Sequence, residues 1–293
     1  MDTTDLLRNI ARGNYHSNGL LCQRLFQLAP PFFSELQNEI RTFISTHLAS
    51  DVTSRDHVTH WTKPFGVANQ LSLLNSHGRT FDTSEDHNLS VKNKKFHFAS
   101  SYPLIAQFIS FFPHAINMRL NILRSKSGLS PHEEHIVHWN PKTKKWFLRV
   151  RFHLPVFTTP QAVMLLEKNL YHFDEGWIYF FNNGAVHSAE NPSEDIRIHL
   201  VWDMLLTDMT KRLMFDRPSE LPPDIFKSCP KEQSILAPLK RIDVPYFEPS
   251  GPGPELYRRL GLNKVGIDPC QFQRVYNFFD GLIPKRIRLA DEQ

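Results

Sequence analysis

The segment SGLSPHEEHIVHW, residues 127–139, crowds three histidines and two glutamates between His132 and His138. Imidazole and carboxylate groups together are the usual ligands of iron and zinc. A zinc-protease helix would need histidines four apart, but the residue four beyond His132 is Ile136. The inverted form of that motif fails as well, because it requires histidine where Pro131 stands. An extended segment opened by Gly128 and Pro131 behaves differently. It points His132 and Glu134 to one side and Glu133 and His135 to the other. A His-x-Glu pair on one face is two thirds of a two-histidine, one-carboxylate triad, which holds non-haem Fe(II) and leaves coordination positions open. The third ligand must then be a histidine from a later strand. GWIYFFNNGAVHSAEN, residues 176–191, supplies His187, and Arg197 follows ten residues later as a cation for an anionic ligand. Taken alone, His-x-Glu is a weak motif, and a surface cluster of His and Glu is its commoner meaning. With His187 and Arg197 it becomes a specific constellation.

Such a triad needs strands to hold it. In AINMRLNIL, Ile116, Met118, Leu120 and Ile122 alternate with Asn117, Arg119 and Asn121. In FLRVRFHL, Leu148, Val150, Phe152 and Leu154 alternate with Arg149, Arg151 and His153. In IRIHLVWD, Ile196, Ile198, Leu200 and Trp202 alternate with Arg197, His199, Val201 and Asp203. Period-two alternation places each polar set on one strand face. That face is either wetted by solvent or turned into a barrel or jelly roll. The polar residues are arginine, histidine and asparagine rather than lysine, glutamate and serine, which favours an internal site.

The chain divides into a helical segment at 1–65, a strand-rich core at 66–206 and a Pro-rich, partly helical segment at 207–293. In the first, Ser34 and Gln37 resemble a capping box, and Leu36, Ile40, Phe43, Ile44 and Leu48 recur at helical spacing. In the last, nine of the 21 prolines lie between Pro218 and Pro254. There Asp268, Pro269 and Gly281 bracket a further predicted helix with Phe272, Val275, Tyr276 and Phe279 on one face. The 23 phenylalanines predict an aromatic core. Three dispersed cysteines, Cys22, Cys229 and Cys270, argue against a disulfide framework and for a reducing compartment. No apolar signal core or membrane-length stretch is present, and a net charge of +4 forms no nucleic-acid patch. The expectation is a cytoplasmic protein with a small-molecule ligand, without nucleic acid or membrane as partner.

Four pieces, in order, give the chain a resemblance to a known family: Gly128 to Glu134, RFHLPV at Arg151 to Val156, GWIYFFNNGAVH at Gly176 to His187, and RIHLVWD at Arg197 to Asp203. Together they resemble the aspartyl/asparaginyl β-hydroxylase family, which includes proline cis-hydroxylases. The resemblance implies a mainly β fold with flanking helices around a double-stranded β-helix, or jelly-roll (cupin-like), core. It implies an Fe(II)- and 2-oxoglutarate-dependent dioxygenase that uses O2 to hydroxylate an aliphatic carbon. His132, Glu134 and His187 would hold the metal, Glu134 standing where related hydroxylases carry aspartate. Arg197 would clamp the far carboxylate of 2-oxoglutarate with help from Asn121, and Arg151 and His153 would meet its chelating end. Arg119, Arg149 and His138 are then spare cations for a substrate carboxylate. The implied substrate is a free amino acid or small derivative. The alternatives are a peptidyl Asp/Asn-type residue and a cupin-like metal protein without 2-oxoglutarate.

Overall fold

The computed structural model describes residues 20–48, 68–132, 137–140, 145–216 and 221–241, apart from residues 87, 90, 92, 168 and 186. In chain order it contains β1 (Cys22–Leu28), α1 (Pro30–His47), β2 (Ala68–Ser72), α2 (Pro103–Ser110), β3 (Ala115–Leu123), β4 (Ser127–His132), β5 (Val137–Asn140) and β6 (Lys145–Phe157). There follow β7 (Val163–Leu166), β8 (Asn169–Tyr171), β9 (Trp177–Phe181), β10 (His187–Asn191), β11 (Arg197–Leu205), α3 (Asp208–Met214), β12 (Phe226–Ser228) and β13 (Lys240–Arg241).

The strands form two antiparallel sheets. The larger runs β12-β1-β9-β6-β11-β3-β2, with β5 paired to β6; the smaller runs β13-β8-β7-β10-β4. This is the expected jelly-roll type of core. Alternation along β3, β6 and β11 gives the large sheet two unlike faces. Met118, Leu120, Ile122, Val150, Phe152, Leu154, Ile198, Leu200 and Trp202 lie in one apolar core with Leu36, Ile40 and Phe43 of α1 and Ile105 and Phe108 of α2. That core is aromatic, as expected: the Trp202 ring meets Phe108, Phe112 and Phe152 at centroid separations of 5.7, 4.7 and 5.6 Å. The opposite face meets the small sheet. There Leu123, Tyr179 and Phe181 share a second cluster with Met164, Leu166 and Tyr171. The arginines and histidines of β6 and β11 are buried on this inner side, which makes them an interior wall.

The N-terminal segment departs from its helical expectation, because Cys22–Leu28 is a strand. It sits between β9 and β12 and exchanges ladder hydrogen bonds with both. That pairing is long-range, and local periodicity carries no trace of it. Helix α1 begins earlier than predicted, with Ala29 at the N-cap and Pro30 in the first turn. Ser34 therefore lies inside the helix, and Gln37 donates Nε2–H to the Val156 carbonyl at 2.6 Å instead of closing a capping box. Of the predicted stripe, Leu36, Ile40, Phe43 and Ile44 are buried, whereas Leu48 is the C-cap beyond the last helical residue and is half-buried. Helix α2, inside the strand-rich region, has no side-chain cap of its own, but Glu39 of α1 accepts the Ile105 N–H at 2.6 Å. Beyond residue 206, β12 and β13 extend one sheet each. The helix predicted after Asp268 lies outside the described residues. Cys22 and Cys229 are buried. No helix among the described residues is long and apolar enough to cross a membrane.

Candidate active site

Strands β4 and β10 are antiparallel partners, and their register sets His132 directly opposite His187. Two histidines 55 positions apart in the chain are thus neighbours across one ladder. Gly128 permits the approach: a Cβ there would stand 2.9 Å from the Ala189 carbonyl oxygen. The glycine before the histidine motif is therefore a requirement of strand contact. His187 is 5% exposed, and its Nδ1–H donates to the Ala185 carbonyl at 2.8 Å. That bond fixes the tautomer with a lone pair on Nε2, as in metal-binding histidines oriented by a backbone carbonyl. Glu134 and His135 lie outside the described residues, and His138 is described only as part of β5. Among the described residues no three His, Cys, Asp or Glu side chains gather as a metal cluster. With Nε2 left as an acceptor and His132 as its ladder partner, His187 fits a metal ligand.

The wall beside these histidines is cationic. Arg197 is 3% exposed, and one Nη2 contacts Met164 Sδ at 2.9 Å and His199 Nδ1 at 2.8 Å. Burial draws its guanidinium down to about 9, still protonated at neutral pH. No carboxylate among the described residues pairs with it. His153 and His199 approach each other Nδ1 to Nδ1 at 3.3 Å. Burial first, then the nearby Arg197 charge, holds both far below the ordinary imidazole range, so both are neutral. Asn121 stands opposite His199 across β3 and β11, and its Oδ1 has no partner among the described residues.

Arg151 requires a correction. Its Nε and Nη2 donate to Asp203 Oδ1 and Oδ2 at 2.7 and 3.0 Å, a bidentate pair inside the wall. Its fork holds a carboxylate of the protein and is not available as a free cation for the cosubstrate. The supposedly spare cations are also engaged. Arg149 donates to Asp203 at 3.3 Å, and Arg119 to Asp86 at 3.1 Å. Asn117 ties the Asp203 carboxylate to the Asp86 backbone, donating to Asp203 Oδ2 at 2.8 Å and to the Asp86 carbonyl at 3.1 Å. Burial alone would raise the Asp203 carboxyl, but the charges of Arg151 and Arg149 outweigh it and hold the group well below the carboxylate range. For Asp86 burial wins over Arg119, and its carboxyl is raised. Sequence reasoning gave Asp203 and Asn117 no role and missed Asp86 altogether. Asp203 carried a signal, since it closes the strand pattern of Arg197 and His199. Asp86 lies in a loop without one.

Residues 70–206 match the model of the Aspartyl/Asparaginyl beta-hydroxylase family, a span that runs from β2 through β11 and includes His132, His187 and Arg197. No curated protein sequence matches the chain. Among solved structures, AviO1 from Streptomyces viridochromogenes is 10% identical, with a TM-score of 0.40 and coverage of 70% of this chain and 97% of that one. The non-heme alpha ketoglutarate dependent epimerase SnoN from nogalamycin biosynthesis is 13% identical, with a TM-score of 0.38 and coverage of 70% and 84%. The viral collagen prolyl hydroxylase vCPH from Paramecium Bursaria Chlorella virus-1 is 7% identical, with a TM-score of 0.35 and coverage of 62% and 96%.

Proposed function

From a core whose residues 70–206 match the aspartyl/asparaginyl β-hydroxylase model, we propose that this chain is an Fe(II)- and 2-oxoglutarate-dependent oxygenase that hydroxylates an aliphatic carbon of a free amino acid or small derivative. His132, Glu134 and His187 would hold the iron, which would supply O2 activation coupled to oxidative decarboxylation of 2-oxoglutarate to succinate and CO2, with one oxygen atom going to the substrate.

The residues of the chain do the rest. Arg197 is the observation that carries the reading. A guanidinium buried without a carboxylate costs several kcal/mol unless an anion joins it, and the far carboxylate of 2-oxoglutarate matches its bidentate fork. Met164 and His199 hold one edge of that fork, leaving its other donors for the ligand. Asn121, opposite His199, adds a hydrogen bond at the same end. Its amide oxygen and nitrogen are interchangeable in position, so the donor can face the carboxylate. His187 keeps Nε2 unprotonated through its bond to Ala185. Phe173 and Phe181 line the wall beside His153 and exclude water from the reacting centre.

Anaerobic addition of Fe(II) and then 2-oxoglutarate tests the assignment. A weak visible charge-transfer band is expected, because a keto acid chelated to ferrous iron absorbs there. Its absence from iron-loaded protein would favour a cupin-like metal protein that does not use 2-oxoglutarate. Arg197→Met is expected to raise KM for 2-oxoglutarate about a hundredfold, the equivalent of ~2.7 kcal/mol, with far less effect on the prime substrate. An effect confined to the prime substrate would move Arg197 to substrate recognition. A panel of free amino acids and short peptides, scored by succinate release and a product gain of one oxygen, tests the substrate class. Turnover with peptides alone would replace the free amino acid by a peptidyl residue.

A further inference from the structure

Arg197 is held from both sheets. His199, on its own strand β11, accepts one Nη2 hydrogen at 2.8 Å, and Met164 of β7 meets the same nitrogen through Sδ at 2.9 Å. Nη2 carries two hydrogens, so both are engaged. A guanidinium offers a carboxylate two bidentate edges, Nε with Nη2 and Nη1 with Nη2. Both run through Nη2. Arg151 shows the first of them in use, its Nε and Nη2 meeting the two oxygens of Asp203 at 2.7 and 3.0 Å. A carboxylate that binds Arg197 in the same way must take an Nη2 hydrogen from one of its two holders. These are unequal. An imidazole lone pair is a full acceptor, whereas a thioether is a weak one. Met164 therefore yields first. It is 4% exposed and packs with Leu123, Leu166 and Ala189, which keeps its sulfur against the guanidinium.

We propose that Met164 is a positioning residue and an exchangeable holder of the clamp: its thioether orients the Arg197 guanidinium and gives its Nη2 hydrogen up to the far carboxylate of 2-oxoglutarate. This rests on the reading of Arg197 as the clamp, and adds how the bidentate contact forms. Sulfur at this position has a thermodynamic reason. A carboxylate on β7 would close the fork permanently, as Asp203 does for Arg151. A neutral oxygen would hold the hydrogen more firmly and compete with the ligand. An alkyl group would leave His199 alone to fix the guanidinium plane. The thioether fixes that plane and is displaced at small cost, so the buried cation keeps its affinity for an incoming anion.

Methyl-13C methionine labelling of the full chain, with Zn(II) as a diamagnetic substitute for iron, gives one signal for each of the six methionines. Met164→Leu, a volume-conserving change, identifies the signal of Met164. In the wild type that signal should move when 2-oxoglutarate is added, because the sulfur loses its N–H partner. Anaerobic titration of the Fe(II) charge-transfer band then gives the affinities for 2-oxoglutarate. Met164→Leu should stay within about threefold of wild type, since the lost holder and the lost competitor offset each other. Met164→Gln, a stronger neutral acceptor, should bind about tenfold more weakly, the equivalent of ~1.4 kcal/mol. Met164→Glu should weaken binding by about a hundredfold or more. Fe(II) affinity should keep its wild-type value in Met164→Leu and Met164→Gln. An unmoved Met164 signal in protein that binds 2-oxoglutarate would overturn the proposal, whether or not Met164→Gln and Met164→Glu fold. So would a tenfold loss in Met164→Leu, Met164→Gln binding as tightly as Met164→Leu, or a parallel loss of Fe(II) affinity, the mark of a packing role alone. Failure of the function reading looks different. Wild-type protein would then give no charge-transfer band, or Arg197→Met would leave 2-oxoglutarate affinity unchanged, and the proposal would fall with it.

Discussion

His187→Ala is expected to reduce turnover to background and to remove stoichiometric iron, and His132→Ala to do the same, whereas His135→Ala is expected to retain both. The two sensitive residues face each other across β4 and β10, and each loss takes away a ligand rather than a group that orients one. Changes that only orient a ligand cost about 10–100-fold in metal affinity, so loss of a ligand exceeds that range. Metal content after desalting, measured with single-turnover succinate release, checks the result. If His135→Ala proved as damaging as His187→Ala, the alternation assigned to the segment after His132 would be off by one residue, and Glu133 would replace Glu134 as the carboxylate.

The second large effect is on stability. Asp203→Asn is expected to cost about 3–5 kcal/mol in urea unfolding, the usual penalty for removing one partner of a buried ion pair. Asp203 is fully buried and accepts from Arg151, Arg149 and Asn117 at once. Without its charge, Arg151 and Arg149 lose the carboxylate that both contact, while Arg119 keeps Asp86. The sign of the pH dependence follows from the depressed carboxyl of Asp203. A group whose pKa is lower folded than unfolded stabilises fully above its unfolded value, about 3.9. That stabilisation is lost as pH falls from there through the folded value. Wild-type stability therefore declines into acid, and Asp203→Asn is both weaker at neutrality and flatter on that limb. A loss under about 1 kcal/mol would show that desolvation of the ions already cancels their attraction.

The two effects fail independently: iron binding can be lost with the wall intact, and the wall can weaken with His132 and His187 in place.

What the sequence by itself determined is whatever depends on neighbours along one strand or helix. Alternation in β3, β6 and β11 sorted apolar from polar side chains correctly, because a strand's two faces follow from its backbone geometry. The scarcity of lysine and glutamate in the polar set already indicated an interior wall, since an unpaired cation of that kind is costly unless something binds it. The stripe Leu36, Ile40, Phe43 and Ile44 was legible for the same local reason. His187 and Arg197 were found by motif order, and Gly128 by its place ahead of the histidines.

Only the tertiary structure decided which cations are engaged. Arg151 and Arg197 look alike in sequence, each alternating with apolar neighbours near a histidine. One faces Asp203 across β6 and β11, where residues 151 and 203 are ladder partners, and the other faces Met164 of the opposite sheet. Strand register and sheet stacking make that difference, and both are long-range. The same holds for Asp86, whose loop reaches Arg119, and for β1, whose strand state comes from β9 and β12. A side chain's type follows from its codon, but its charge partner follows from where the chain returns, and burial makes that partner decisive.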